Sequence, residues 1–242
     1  MIKVEGLSKS FKINHEKNNS LYSLIRSIGK HQNSDILTVL DNISFEVKRG
    51  EIVGVLGRNG SGKSTLLKLI SRILNPDSGR IIVNGEITPF LEIGTGFNGE
   101  MSAIDNIIIY GMIIGFSRSQ IKSKIDTIIE FADLKRFEDT KLKHFSAGMY
   151  ARLAFSTAIQ INPDIMLVDE IFSVGDISFR KKSFDVFSKF KEDKKSILLV
   201  SHDPSTIHQL CNRVLVLEKG KIIFDGNTED GIKKYQEVMN SG

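Results

Sequence analysis

An apolar run, Ile52-Val53-Gly54-Val55-Leu56, leads directly into Gly57-Arg58-Asn59-Gly60-Ser61-Gly62-Lys63-Ser64. Leu66-Leu67-Lys68-Leu69-Ile70 follows, at spacing that suits a helix. The middle octapeptide fits the phosphate-loop pattern G-x-x-x-x-G-K-[ST] at every fixed position. Strand, glycine loop and helix in that order turn the pattern into a candidate site. Glycines let backbone N–H groups converge on phosphate oxygens without side-chain clash, and the helix N-terminus adds partial positive charge. Lys63 is expected to reach the β- and γ-phosphates and the Ser64 hydroxyl to ligate Mg²⁺. With Thr65, the residues Gly57, Arg58, Asn59, Gly60, Ser61, Gly62, Lys63 and Ser64 are the candidate nucleotide contacts. A purely structural glycine turn is the bland alternative, and the flanking strand and helix count against it. The expectation is that the chain binds a nucleoside triphosphate.

With 242 residues, 40% hydrophobic, the chain is long enough for a large core: one sizeable domain, or one with an embedded subdomain. Its 33 Lys and Arg against 29 Asp and Glu give +4. That mild bias suits a place beside an anionic membrane face, and equally an ordinary solvated basic surface. The single Cys211 excludes a disulfide framework and fits a reducing cytosol. No basic-apolar-small leader opens the chain. The longest near-apolar run, Ile107-Ile108-Ile109-Tyr110-Gly111-Met112-Ile113-Ile114, falls far short of the ~20 residues of a membrane span. A soluble, cytosolic protein is expected.

Short β-branched runs alternating with helical patterns predict an α/β fold on a mostly parallel sheet. Ile2-Lys3-Val4-Glu5 and Ile43-Ser44-Phe45-Glu46-Val47 alternate as half-exposed antiparallel strands do. Ile165-Met166-Leu167-Val168 and Ile197-Leu198-Leu199-Val200 are continuously apolar, as strands buried on both faces should be. Between about residues 100 and 161 the pattern is helical, with Ile121, Ile125, Ile128, Ile129 and Ala132 at helix spacing. This predicts a helical subdomain inserted between the phosphate loop and the strand at Ile165, within a single domain spanning residues 1–242. Val214-Leu215-Val216-Leu217, Lys219-Gly220 and Lys221-Ile222-Ile223-Phe224 predict a hairpin, with a short helix after it.

Many unrelated enzymes share a phosphate loop, so a second site must narrow the choice. The buried strand at Ile165 ends in Asp169-Glu170. Successive side chains on an extended chain point opposite ways, so the pair can divide two jobs. Asp169 would hold Mg²⁺ through water, while Glu170 would polarise the water that attacks the γ-phosphate. Two carboxylates at a strand end can also be a mere turn or helix cap. About a hundred residues after the loop, they look like the B motif of an ATPase.

At these residues the chain resembles the nucleotide-binding subunit of ABC transporters over essentially its whole length. Phe145-Ser146-Ala147-Gly148-Met149 stands where that family has its signature, with Ala147 in place of the first glycine and Met149 in place of the usual glutamine. Ser173-Val174-Gly175-Asp176 looks like the D-loop, and Ser201-His202 looks like the switch histidine, implied to hydrogen-bond the γ-phosphate. Phe11 occupies the position of the aromatic that stacks on adenine. Singly, Ser146 reads as a helix cap, Asp176 as a turn and His202 as structural; in this order and spacing they match the family.

Phe90-Leu91-Glu92-Ile93-Gly94-Thr95-Gly96-Phe97, then Ser102, Asp105 and Asn106, is similar to the ATPases that serve polysaccharide exporters. So is Ser146-Ala147-Gly148-Met149-Tyr150-Ala151-Arg152-Leu153-Ala154-Phe155. That branch energises export of O-antigen, capsule or teichoic acid. Glu92 sits where most ABC transporters have a glutamine; a carboxylate can accept from water or ligate Mg²⁺ but cannot donate as an amide does. A second departure is an insertion at about residues 14–36. It carries the i, i+3, i+4, i+7 stripe Leu21, Leu24, Ile25 and Ile28, with Arg26, Lys30 and His31 nearby. The stripe either packs on its own domain or faces the membrane partner or exported chain.

The resemblance implies a homodimer sandwiching two ATP molecules. Each would lie between residues 57–64 of one chain and Ser146, Ala147 and Gly148 of the other, with Asp176 beside it. Glu170, His202 and Lys63 are the implied catalytic groups; Ser64, Asp169 and Glu92 are the implied Mg²⁺ groups. A separate membrane permease, expected in two copies, would dock near residues 92–106 on the cytoplasmic face of the inner membrane. The polysaccharide is then cargo met indirectly, and no nucleic-acid partner is expected. The chain ends too soon for the carbohydrate-binding domain that many such ATPases carry. Other transport roles, importer or drug exporter, are the nearest alternative. A DNA-maintenance ABC ATPase would need a coiled coil or zinc module, and a translation factor two such domains.

Overall fold

Alternating side chains open the chain, and they set its first ladder. The computed structural model describes residues 1–14, 34–90, 94–160, 163–169 and 176–241. Strands β1 (Ile2–Asn14) and β2 (Ser34–Val47) pair antiparallel, Ile2 opposite Val47 and Phe11 opposite Leu37. Strand β3 (Ile52–Leu56) carries the apolar run before the glycine loop, and α1 (Lys63–Ile70) follows that loop. Strand β4 (Ser78–Val83) pairs with the other side of β1, making a three-stranded antiparallel sheet in the order β2-β1-β4.

From β5 (Ile87–Phe90) the chain enters a helical region: α2 (Ala103–Ile113), α3 (Arg118–Lys122), α4 (Ile125–Phe131) and α5 (Ala147–Ala158). It returns through β6 (Ile165–Asp169), α6 (Ile177–Glu192), β7 (Ser196–Val200), α7 (Pro204–Leu210), β8 (Arg213–Glu218), β9 (Lys221–Asn227) and α8 (Thr228–Asn240). A six-stranded sheet runs β5-β6-β7-β3-β8-β9, parallel except where β9 turns back on β8.

The continuous apolar strands feed two cores, because a period of two sends neighbours to opposite faces. Met166, Val168, Ile197 and Leu199 face α5, α6 and α7, with Phe155, Phe179 and Phe187 among them. Ile165, Leu167, Leu198 and Val200 face α1 and the antiparallel sheet, against Ile2, Val4, Leu66 and Leu67. A third cluster, Ile107, Ile121, Ile128, Ile129, Leu142 and Leu153, belongs to the helical region.

Two local expectations are refined. The Ile121-to-Ala132 run is two helices rather than one: α3 closes at Ser123, and the chain turns through Lys124 before α4. Periodicity survives the break because both pieces bury the same face; Ile121, Ile128, Ile129 and Ala132 are all fully buried. The β1–β2 ladder also reaches further than Phe11, to Asn14 opposite Ser34. The flanks of the presumed insertion are therefore paired strands. Its stripe Leu21, Leu24, Ile25 and Ile28 lies outside the described residues, as do Arg26, Lys30 and His31. The expected hairpin is β8–β9, turning at Lys219 and Gly220 with positive φ at both, and the helix after it is thirteen residues long. Among the described residues no helix is long and apolar enough to cross a membrane.

Candidate nucleotide site

Register fixes which loops meet. Val200 of β7 lies beside Val55 of β3 on one side and Asp169 of β6 on the other. The residues after Leu56, at Asp169 and after Val200 therefore emerge together at the C-terminal edge of three neighbouring parallel strands. In open α/β sheets this edge is where ligands bind.

The loop after β3 is tightly seated. A Cβ on Gly57 would lie 2.3 Å from the Leu217 carbonyl oxygen and 2.6 Å from Ser61 Oγ, so only glycine passes there. The β8–β9 turn braces the loop from beneath, Gly220 N–H donating to Ser61 O at 3.2 Å. At Gly60 the opposite holds: φ is +80° and a Cβ would meet nothing within 4 Å among the described residues, which leaves an open cradle over the backbone. Gly62, in the left-handed region, precedes α1, whose first turn has no side-chain cap and no acidic residue. A helix start of this kind turns N–H groups and partial positive charge toward an anion. Ser61 Oγ is buried without a hydrogen-bond partner among the described residues, while Arg58, Asn59 and Gly60 are exposed and Thr65 is half-buried.

Lys63 is only 7% exposed, and its ammonium donates to Gly57 O at 2.7 Å and Arg58 O at 2.9 Å. Ser64 Oγ donates to Asp169 Oδ2 at 3.1 Å across 105 positions of sequence. A hydroxyl and a carboxylate converging beside an anion cradle form the hard-oxygen set that Mg²⁺ takes. The residues present thus fit a magnesium nucleotide. His202 stands exposed two residues past β7, where Asp203 caps α7 by accepting from the Ser205 and Thr206 N–H groups. Glu92 and Glu170 lie outside the described residues, as do Ser173, Val174 and Gly175.

Phe11 sits near the end of β1, 36% exposed, with the Lys9 ammonium 5.5 Å from its ring centroid. The signature residues belong to the helical region. Ser146 caps α5 by accepting from Met149 N–H at 3.2 Å; Ala147 is exposed, and a Cβ on Gly148 would touch only Ser146 Oγ at 3.9 Å. Nothing among the described residues therefore demands a glycine at 148. Asp176 caps α6, accepting from Phe179 N–H at 2.9 Å, and its other oxygen faces Arg152 Nη1 of α5 at 3.7 Å. Sequence reading assigned Arg152 no role, since the pair is visible only once α5 and α6 are packed. Asn106 was noticed only as part of a resemblance. It is fully buried, accepting from Asn98 N–H at 2.6 Å and donating to the Asn98, Met101 and Ser102 carbonyls. An asparagine in the first turn of an isoleucine-rich helix was the available signal.

The model of one known family, described as ABC transporter, matches residues 40–173. The chain belongs to the ABC transporter family. Its fold is that of the ATP-binding cassette: a dimeric post-hydrolysis cassette bound to ADP and Pi superposes with a TM-score of 0.74 at 22% identity, covering 94% of this chain and 99% of that one. Among curated relatives of this cassette is an O-antigen export system ATP-binding protein, RfbB of Myxococcus xanthus, 40% identical over 88% of this chain and 49% of the relative. A teichoic acids export ATP-binding protein, TagH of Lactococcus lactis, is 41% identical over 98% and 51%. RfbB of Klebsiella pneumoniae is 37% identical over 83% and 81%. The chain spans about half the length of the first two of these relatives.

Proposed function

We propose that this cassette hydrolyses ATP to power export of a polysaccharide, of the lipid-linked O-antigen or related glycan class, through a separate membrane permease. The observation that carries the reading is the Ser64–Asp169 contact at 3.1 Å, at the start of the helix that follows the glycine loop. It supports a site where triphosphate and cation are held by one strand edge. The likeness to O-antigen and teichoic acid export ATP-binding proteins supports the cargo.

In this reading residues 57–65 bind the phosphates through backbone N–H groups, and Lys63 leaves its carbonyls to meet the β- and γ-oxygens. Ser64 and Asp169 hold Mg²⁺, with Glu92 as a further oxygen donor; the ion, when bound, neutralises phosphate charge. Glu170 orients and deprotonates the attacking water, and His202 donates to the γ-phosphate. Phe11 offers its ring to adenine. The exposed Ser146 and Ala147, with the half-buried Gly148, reach the nucleotide of a second copy, where Asp176 also lies, so two chains enclose two ATP. Two permease copies anchor that dimer at the cytoplasmic face of the inner membrane. Residues 1–242 act as one domain, with the helical subdomain at about 100–161.

The test is co-expression with the candidate permease from the same locus, purification of the pair, and ATPase assay with and without it. Co-purification and higher turnover with the permease, together with loss of surface glycan when the cassette gene is deleted, are the expected results. Unaltered surface glycan in the deletion strain would reject the export reading.

A further inference from the structure

The phosphate loop meets the β1–β2 ladder where the ladder breaks register. A Cβ on Gly62 would lie 2.8 Å from the Val39 carbonyl oxygen and 2.7 Å from Leu40 Cδ2. Lys9 pairs with Leu40 and Ser10 with Thr38, so Val39 is the extra residue of a β-bulge. A bulge bends its strand and re-aims the side chains beyond it, and this one abuts the glycine loop. Two residues before Val39, Leu37 stands opposite Phe11. The ring of Phe11 is thus carried just past a bend that touches the phosphate loop.

The facing strand is gripped at the same level. Pairing of β4 with β1 runs as far as Ser8, opposite Ser78. Asp77, one residue earlier, adds further ties: its N–H donates to the Ser8 carbonyl at 3.0 Å, and its carboxylate accepts from Ser10 N–H at 2.7 Å. The other carboxylate oxygen accepts from the Lys9 ammonium at 2.7 Å. That ammonium lies 5.5 Å from the Phe11 ring centroid, within cation–π range. Bracing the bulge needs only the two backbone bonds, and an ion pair open to solvent adds little stability of its own. What the ion pair does fix is a cation against the ring. Asp77 also sits on the connection from α1, the helix that begins in the phosphate loop, to β4.

We propose that Lys9 and Asp77 are positioning residues for the purine: Asp77 anchors the Lys9 ammonium, and the ammonium holds the Phe11 ring in place for adenine to stack on. The proposal rests on the nucleotide reading above. It names what secures the base, as distinct from the phosphates.

Isothermal titration with Mg-ADP and with base-free Mg-tripolyphosphate separates the two ends of the ligand. Lys9→Met keeps the aliphatic stem and removes the cation. Its ADP affinity should fall about three- to fivefold, the size of one cation–π contact, while tripolyphosphate affinity stays within about twofold. Asp77→Ala should match that loss. Lys9→Arg, able to reach both carboxylate and ring, should restore wild-type ADP affinity. Phe11→Ala should cost ADP at least fivefold, and adding Lys9→Met to it should cost less than about twofold more, since the lysine acts through the ring. Unchanged ADP affinity in Lys9→Met would overturn the proposal. So would an equal loss for tripolyphosphate, the mark of a disturbed phosphate loop. A loss that persists undiminished beside Phe11→Ala would show Lys9 acting elsewhere and overturn it too. Failure of the underlying reading looks different. A wild type that binds neither ligand sinks the nucleotide site, and ADP affinity unmoved by Phe11→Ala sinks the stacking; either takes the proposal with it.

Discussion

Lys63 holds its charge against two carbonyls of its own loop, nearly out of solvent. Replacing it with alanine removes a cation that several phosphate oxygens would share, so Lys63→Ala should weaken ADP and ATP binding alike. A charge-assisted hydrogen bond is worth about 1.5–3 kcal/mol, or roughly ten- to hundredfold in affinity. His202→Ala, at an exposed position past β7, should leave ADP affinity within about twofold and lower turnover instead. Isothermal titration with ADP separates the two; equal losses would refute the division of roles. Lys63, Ser64 and Asp169 were legible in the sequence because each follows a recognisable buried strand or a fixed motif. Lys9 and Asp77 were not, because their bond spans 68 positions and depends on where β4 sets Asp77 beside β1. Glu170 is a sequence inference alone, outside the described residues.

The β1–β2 ladder is the element whose boundary the sequence blurred. Phe11 to Asn14 and Ser34 to Leu37 alternate weakly, and Ile13, Ile36 and Leu37 are all exposed, so no buried face marks the pairing. Because Asn14 lies opposite Ser34, replacing residues 15–33 by Asn-Gly should close a two-residue hairpin of favoured geometry. Loop-closure entropy changes little, so the variant should keep its melting temperature within a few degrees and retain basal ATPase activity. In cells it should fail to deliver glycan to the surface, which antiglycan staining would read. Normal staining would reject an export role for the replaced segment. A fall in melting temperature of ten degrees or more would instead assign it to packing. The continuously apolar strands β6 and β7 left no such ambiguity, since both faces of each are buried.

At the scale of the molecule, the parallel order of β6, β7 and β3 assembles the loops of one half-site, while Ser146, Ala147 and Gly148 stand on a separate helical cluster. Among the described residues Gly148 meets no steric reason to be glycine, which fits a surface that a second molecule must approach closely. The parallel sheet was legible from its continuous apolar runs. The position of the helical cluster was not, because it rests on contacts such as Phe131 with Phe179 and Lys182 with Asp133 that tie α4 and the turn after it to α6. The central claim, that two chains share ATP between phosphate loop and signature, is tested most directly on Glu170→Gln. Light scattering after size exclusion in Mg-ATP should show a particle of twice the chain's mass, reverting to the single chain in ADP, with hydrolysis reduced at least a hundredfold. A Glu170→Gln protein that stays monomeric in saturating Mg-ATP and hydrolyses it at the wild-type rate would contradict the account.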